Sequence, residues 1–437
     1  MFANIPSNLI AFVLVLGFLV FAHESGHFFV AKAFRVRVLV FSFGFGTRLF
    51  GFKRGDTDYR VSLIPLGGYV IMAGDTPEER QEGADGEFLS KPKWQRFLIL
   101  SAGPVANLII AVIFLALFLM TGTEVLRDSE PIIGAIIEGE PAAMAGLIPG
   151  DRITEINGES IREWDDLQVA VGMNPEVEIT LSYDRDGVVK SVELTPRRVM
   201  TDFGAAGRIG ISPWLGTEVG RVLESSAAQT AGIKAGDSIV SASGEPVSQM
   251  ADFQSRLEDA EGKPLEFEVE RDGKIVALTL PASEDGVAYP GFALPTKIQT
   301  LAAVPALKES LRQNWTMTRY IFRVLSRMVA FEGSVKDFSG PISIARISGE
   351  MLRTGWNYVI YLMAAISLNL GILNFLPIPV LDGGHIAILG LEGVMRRDLS
   401  NQAKERIYQV GFFALAALML VVIYNDVIQN VMLLRRG

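Results

Sequence analysis

His23, Glu24 and His27 stand in the run H-E-S-G-H. On a helix, residues four apart share a face, so both imidazoles of an H-E-x-x-H segment can reach one Zn2+. The glutamate beside them can take a proton from water that the metal activates. A five-residue pattern is weak by itself, but its setting strengthens it. The run lies inside the apolar stretch from about Asn8 to Phe34, and ionisable groups in such a stretch are costly and as a rule functional. The chain has three histidines and no cysteine, which excludes disulfides and thiolate ligands. A hydrolytic zinc site usually has three protein ligands and a fourth position for water. The third ligand is sought in N-F-L-P-I-P-V-L-D-G-G-H, residues 374 to 385. Its acid is Asp382, with His385 as the rival. The prolines and Gly383–Gly384 are expected to fix a tight turn around the aspartate, which favours it. Intramembrane His and Asp would also suit a metal transporter, but Glu24 between the histidines is placed as a base should be.

Four apolar stretches are long enough to span a bilayer: about 8 to 34, 97 to 120, about 356 to 381 and about 407 to 424. The first has no basic n-region and no A-x-A site, so it is expected to be a span and not a cleaved signal. Basic residues follow the first stretch (Lys32, Arg35, Arg37, Arg48, Lys53, Arg54) and precede the second (Lys91, Lys93, Arg96). More lie between the third and fourth (Arg396, Arg397, Lys404, Arg406). By the positive-inside rule these regions are cytoplasmic. The block between spans two and three, and both termini, are then outside; Arg435 and Arg436 argue mildly against this. That block, Glu124 to Lys297, holds 31 acidic and 15 basic residues, a net of −16 against −9 for the whole chain. The remainder is therefore +7, which suits a basic membrane-proximal part and an acidic aqueous part. No basic stripe suggests nucleic acid.

Within the acidic block a pattern recurs: A-A-x-x-A-G, an apolar residue, x-x-G-D-x-I. It appears in P-A-A-M-A-G-L-I-P-G-D-R-I (141 to 153) and S-A-A-Q-T-A-G-I-K-A-G-D-S-I (226 to 239). Each copy runs on into alternating segments joined by a D-G turn, which predicts hairpins. The pattern resembles tandem PDZ domains of the circularly permuted type. Such domains add an extended peptide to a sheet edge beside a helix. The resemblance places the peptide grooves at Gly210 and Ile211 and at Gly291 and Phe292; the simpler alternative for the same residues is plain core strand.

Residues 36 to 75 alternate, are rich in Val, Phe and Tyr, and carry glycine clusters, which predicts a small β-meander. Beside membrane helices it would offer an open edge for an unfolded substrate strand, or serve as a linker sheet. Residues 76 to 97 read as a soluble loop. Residues 304 to 329 have helical apolar spacing with several basic residues. They predict an amphipathic helix, either lying on the membrane or packed on the third span. S-G-P-I-S-I-A-R-I-S-G-E (339 to 350) is expected to be a second interfacial turn.

H-E-x-x-H in the first span together with N-x-x-P-x-P-x-L-D-G in the third (Asn374, Pro377, Pro379, Leu381, Asp382, Gly383) resembles the double signature of the site-2 proteases, which are intramembrane zinc metalloproteases. The likeness runs essentially end to end. It implies His23, His27 and Asp382 as ligands of one Zn2+, Glu24 as catalytic base, and Asn369 and Asn374 holding substrate backbone. Ordinary interhelix bonding would explain Asn369 equally well. Gly103 to Asn107, G-P-V-A-N, matches a family motif near the site. The implied substrate is a single-span membrane protein: an anti-sigma factor trimmed outside by a prior protease in an envelope stress response, or remnant signal peptides. The implied location is the bacterial inner membrane, multi-pass, with PDZ domains and termini periplasmic and the active site near the cytoplasmic side. The expected fold is a multi-domain membrane protein: four transmembrane helices with a membrane-associated β-meander, and two tandem circularly permuted α+β PDZ domains. The expected boundaries are 1–123 (spans one and two), 124–214 and 215–298 (PDZ domains), 299–350 (interfacial helices) and 351–437 (spans three and four). The non-enzymatic alternative is a membrane scaffold that uses its PDZ domains to bind protein termini.

Overall fold

A computed structural model of the chain describes residues 5–75, 86–126, 130–201, 204–282, 290–329 and 340–436. Residues 76–85 of the loop expected before the second span lie outside them. The chain forms two compact units, one of Met1–Gly122 with Thr300–Gly437, the other of Thr123–Gln299.

Among the described residues the first unit carries four helices long and apolar enough to cross a membrane. They are Ile5–Ala33, Lys93–Thr121, Trp356–Phe375 and Asn401–Arg436, called here the first to fourth apolar helices. The third ends six residues before the expected limit. Leu376 precedes Pro377 and takes an extended backbone (φ −66, ψ 145), as a residue before proline prefers. Residues 376 to 381 form a turn with Val380 at φ +85, and a further helix, Asp382–Met395, starts at the aspartate. The expected tight turn therefore precedes Asp382, which sits in the first turn of a helix. This helix lies wholly beyond the expected third span, which ended at 381, and went unpredicted. Its buried Glu392 accepts from Lys404 (2.7 Å) and from the Leu399 N–H (2.9 Å), clamping it to the fourth apolar helix.

Helix Ala303–Val329 packs on the second and third apolar helices. Ser310 donates to the Val112 carbonyl at 2.7 Å. The expected interfacial turn is instead a helix, Pro341–Thr354. Asp426 of the fourth apolar helix caps its start, accepting from the N–H of Ile342 (2.7 Å) and from the Ser343 hydroxyl (2.5 Å). A carboxylate there answers both the unpaired N–H groups and the helix dipole.

Between the first two apolar helices lies a β-element of two long strands, Val38–Arg54 and Thr57–Met72. Both strands fold back, so Tyr59 pairs with Phe41 and also with Phe52, while Phe41 pairs with Val70 as well. The lateral order is thus 50–54, 57–61, 40–43, 68–72, which is not the successive order of a meander. Phe21 and Phe28 of the first apolar helix stack on this sheet, with ring centroids of Phe21 and Phe41 5.2 Å apart and of Phe28 and Phe41 4.7 Å apart.

The second unit contains two modules of the same build. One has a sheet in the order Glu159–Ser160, Arg152–Ile156, Ile179–Arg185, Val188–Leu194. The other runs Glu245–Pro246, Ser238–Ala242, Leu265–Arg271, Lys274–Leu280. Each has a helix (Trp164–Gly172; Met250–Asp259) and its own apolar core. A late strand pairs back with one before the repeat: Ile211–Pro213 with Ile133–Ile136, and Phe292–Ala293 with Arg221–Val222. A short ribbon, Thr123–Leu126 with Thr296–Gln299, joins the ends of the unit; each strand is too short to be read from sequence.

The recurring G-D is explained by a clamp made twice. Arg185 grips buried Asp151 at 2.6 and 2.7 Å and donates to the Gly146 carbonyl. Arg271 grips Asp237 at 2.7 Å through two nitrogens and donates to the Gly232 carbonyl. Each aspartate also accepts a loop N–H, from Ile148 or Lys234. Burial pushes the Asp237 carboxyl up, but the Arg271 guanidinium and the Lys234 N–H outweigh it and hold it below the usual range. Asp237→Ala leaves the guanidinium and the N–H unanswered and should cost about 2–3 kcal/mol, seen as a lower urea midpoint for added-protease cleavage within 215–298. The native pair's contribution is full above the unfolded carboxylate pKa of about 3.9 and is lost as pH falls through the lower folded value. The variant should therefore lose less stability on acidification than the native protein.

Candidate metal centre

The first apolar helix places His23 and His27 one turn apart and facing the second apolar helix, with both side chains nearly buried. Asp382 reaches them from the start of its own helix. Its Oδ2 lies 3.0 Å from Nε2 of His23 and 3.4 Å from Nε2 of His27, and the two Nε2 atoms are 3.3 Å apart. Among the described residues these three form the group of close potential metal ligands. The triangle can be tested against a metal. With zinc–ligand bonds of 2.0–2.1 Å, adjacent corners of a tetrahedron are about 3.3 Å apart. The three observed edges fit one face of that tetrahedron, and the donor set, two imidazoles and a carboxylate, suits zinc and leaves a fourth position.

The second apolar helix supports both rings. His27 Nδ1 donates to the Ile99 carbonyl at 2.7 Å. His23 Nδ1 lies 3.2 Å from the Asn107 amide. Between them Gly103 faces the imidazoles, and a Cβ there would stand 2.3 Å from His27 Nε2 and 2.7 Å from His23 Nε2. Pro104 follows inside the helix, where it cannot donate to the carbonyl one turn back and loosens that turn. Gly26 of the first helix meets the Ala102 carbonyl, and Gly371 of the third meets Pro104, so the three helices approach closely around the site.

Gly383 and Gly384 are also contact glycines. A Cβ on Gly383 would lie 2.1 Å from the Leu376 carbonyl, and one on Gly384 2.4 Å from that of Ile378. The Asp382 helix can therefore begin directly against the preceding turn, which aims its first carboxylate at the histidines.

Glu24 lies beside the triangle, half-buried. The 68–72 strand runs past it: Gly68 leaves room for its Cγ, and the backbone of Val70 is within hydrogen-bonding reach. His385 is not in the cluster; its Nδ1 pairs with the Tyr408 hydroxyl at 2.9 Å. Asn374 is half-buried and Asn369 exposed on the third apolar helix, and neither side chain makes a hydrogen bond among the described residues. In the second unit, Gly210 and Gly291 take left-handed backbone (φ +77 and +85) at the start of their strands. Ile211 is half-buried, whereas the Phe292 side chain is 3% exposed within the module core. Phe292 therefore offers a peptide only its backbone.

Sequence reading missed the contacts of Ile99, Asn107 and Gly68. The G-P-V-A-N run was a signal for Asn107, and no signal pointed to Ile99 or Gly68. Gly103→Ala should force the imidazoles apart and lower zinc content per purified chain by at least about tenfold, measured by elemental analysis after dialysis against a weak chelator.

Comparison with known proteins gives a consistent picture. The family model described as peptidase family M50 matches residues 11–418. The regulator of sigma-E protease RseP of Escherichia coli is 33% identical over 450 residues, covering 96% of this chain and 98% of that protein. The regulator of sigma E protease of Salmonella typhi is 33% identical over 463 residues with the same coverage. A relative from Vibrio cholerae, 31% identical over 448 residues, 96% of this chain and 98% of its own, carries the words zinc metalloprotease in its name. Among solved structures, a PDZ domain of an SdrC-like protein from Listeria monocytogenes aligns with 21% of this chain and 92% of its own at 21% identity. Its TM-score of 0.17 is too low to bear on the fold.

Proposed function

The chain belongs to peptidase family M50 and is an intramembrane zinc metalloprotease of the site-2 type, and from that premise we propose which residues do the work and on what. His23, His27 and Asp382 hold the zinc, and Glu24 is the catalytic base. The observation that carries this reading is the triangle of ligand atoms with edges of 3.0, 3.3 and 3.4 Å and Glu24 beside it. When bound, zinc polarises the scissile carbonyl and makes water acidic enough to attack it near neutral pH. Glu24 accepts the proton of the attacking water and returns it to the departing amine.

A transmembrane helix hides its amides in its own hydrogen bonds, so a substrate must be drawn out before any base can act on it. The outer edge of the 68–72 strand beside Glu24, unpaired with another strand among the described residues, supports a role in holding the extended segment by strand addition. Asn369 and Asn374, polar side chains without partners among the described residues on an apolar helix, bind the remaining substrate amides.

The two modules of the second unit act as tandem PDZ domains of the permuted type. Their grooves lie at Gly210–Ile211 and Gly291–Phe292, the latter through backbone alone. The substrate class is a single-span membrane protein trimmed outside, an anti-sigma factor or a remnant signal peptide. The charge division of the chain supports modules and termini in the periplasm and the zinc site toward the cytoplasm of a bacterial inner membrane.

Glu24→Gln should lower cleavage of a single-span test substrate by at least about 100-fold while zinc content stays at one ion per chain; undiminished cleavage would sink the assignment of the base. Because the chain has no cysteine, orientation can be read by labelling. Cysteine placed at Glu245 should react with a membrane-impermeant maleimide in cells with a permeabilised outer membrane. Cysteine placed at Ser400 should react only after the inner membrane is opened.

A further inference from the structure

His23 Nε2 faces Asp382 and His27, so it is the nitrogen that meets the metal. A neutral imidazole that gives one nitrogen to a metal carries its proton on the other. The proton on His23 therefore sits at Nδ1, inside the bundle, and needs an acceptor. The group facing it is the Asn107 amide at 3.2 Å. An amide offers both an oxygen that accepts and a nitrogen that donates, exchanged by a half-turn of the side chain. With Nδ2 toward the ring, two donors would face each other, and Asn107 Oδ1 is buried with no partner among the described residues. Asn107 itself is fully buried, and its own carbonyl is tied down by the hydroxyl of Ser367 on the third apolar helix at 2.8 Å.

We propose that Asn107 is a positioning residue for the zinc site: in the metal-loaded protein its Oδ1 accepts the Nδ1 proton of His23 and so fixes the tautomer and ring orientation that present Nε2 to zinc. The arrangement mirrors that at His27, whose Nδ1 proton goes to the Ile99 carbonyl. The second apolar helix thus orients both imidazoles without touching the metal, once through backbone and once through a side chain. Metal-ligating histidines commonly depend on such a partner, which raises ligand basicity as well as fixing the ring. Asn107 takes no part in proton transfer to or from the substrate.

This inference rests on His23 being a zinc ligand, and the experiment separates the two claims. Full-length chain in detergent is prepared as Asn107→Leu, Asn107→Asp and His23→Ala. Zinc affinity is measured by competition with a chromophoric chelator, and ligand geometry by the visible spectrum of the Co2+-loaded protein. Leucine fills the same space with no acceptor, so Asn107→Leu should weaken zinc binding about 10- to 100-fold and alter the Co2+ spectrum. Aspartate supplies an acceptor in the same place, so Asn107→Asp should bind zinc as tightly as the native chain or tighter, with a native-like spectrum. A residue that only packed would give the opposite order, since a buried charge disturbs packing more than leucine does. Native affinity in Asn107→Leu, or a loss in Asn107→Asp, overturns the proposal while leaving the metal site intact, provided His23→Ala loses zinc. Native affinity in His23→Ala overturns the ligand assignment and this inference with it. Should Asn107→Leu fail to accumulate, Asn107→Asp decides alone.

Discussion

His23 and His27 project from a helix whose neighbours are apolar, and polar groups in such surroundings are costly unless each hydrogen-bonding atom has a partner. The histidines meet this demand by giving one nitrogen each to a shared point with Asp382 and the other to the second apolar helix. Three helices must therefore meet there, and each must come close. Most other features of the first unit serve that approach. Gly26 and Gly103 remove side chains at the contact with the second helix, Gly371 does so on the third, and Gly383 and Gly384 let the Asp382 helix start hard against its turn. In lipid, where burial of apolar surface does not drive helices together, small residues and a few hydrogen bonds do.

The β-element answers a different demand. Non-helical backbone packed beside apolar helices must have its polar groups satisfied by protein or water. Its strands do so largely among themselves by folding back, and Phe21 and Phe28 anchor it to the helix that carries the histidines. Its outer strand lies along Glu24, so one piece of chain covers that carboxylate and, among the described residues, has no further strand paired on its outer edge. The fourth apolar helix contributes at a distance. It binds the Pro341–Thr354 helix through Asp426 and the Asp382 helix through Lys404, holding the frame within which the aspartate is aimed.

The second unit follows soluble-protein rules. Two modules repeat a buried aspartate gripped by an arginine 34 residues later, and each builds an apolar core of its own. The aspartates were visible as part of a repeated motif, but their partners were not. Arg185 and Arg271 lie at the far end of a hairpin, and a sequence repeat does not say which side chains meet. The same limit explains Phe292: alternation cannot tell the strand face that lines a groove from the face that fills a core, and here the side chain went inward.

Residue chemistry and local spacing alone determined the H-E-x-x-H pair, the Asp382 candidate beside its prolines, the four apolar stretches, the acidic block and its internal repeat. These are legible because helix periodicity, hydropathy and charge act over a few residues or sum over many. Tertiary structure decided the rest. It drew Asp382 rather than His385 into the triangle and ended the third apolar helix at Phe375. It turned the expected meander into a folded-back sheet and brought Asn107 and Ile99 to the backs of the two imidazoles. Each of these depends on which helix faces meet and how closely. That is set by close approach at particular glycines and by the need of every buried polar atom for a partner, neither of which local sequence can express.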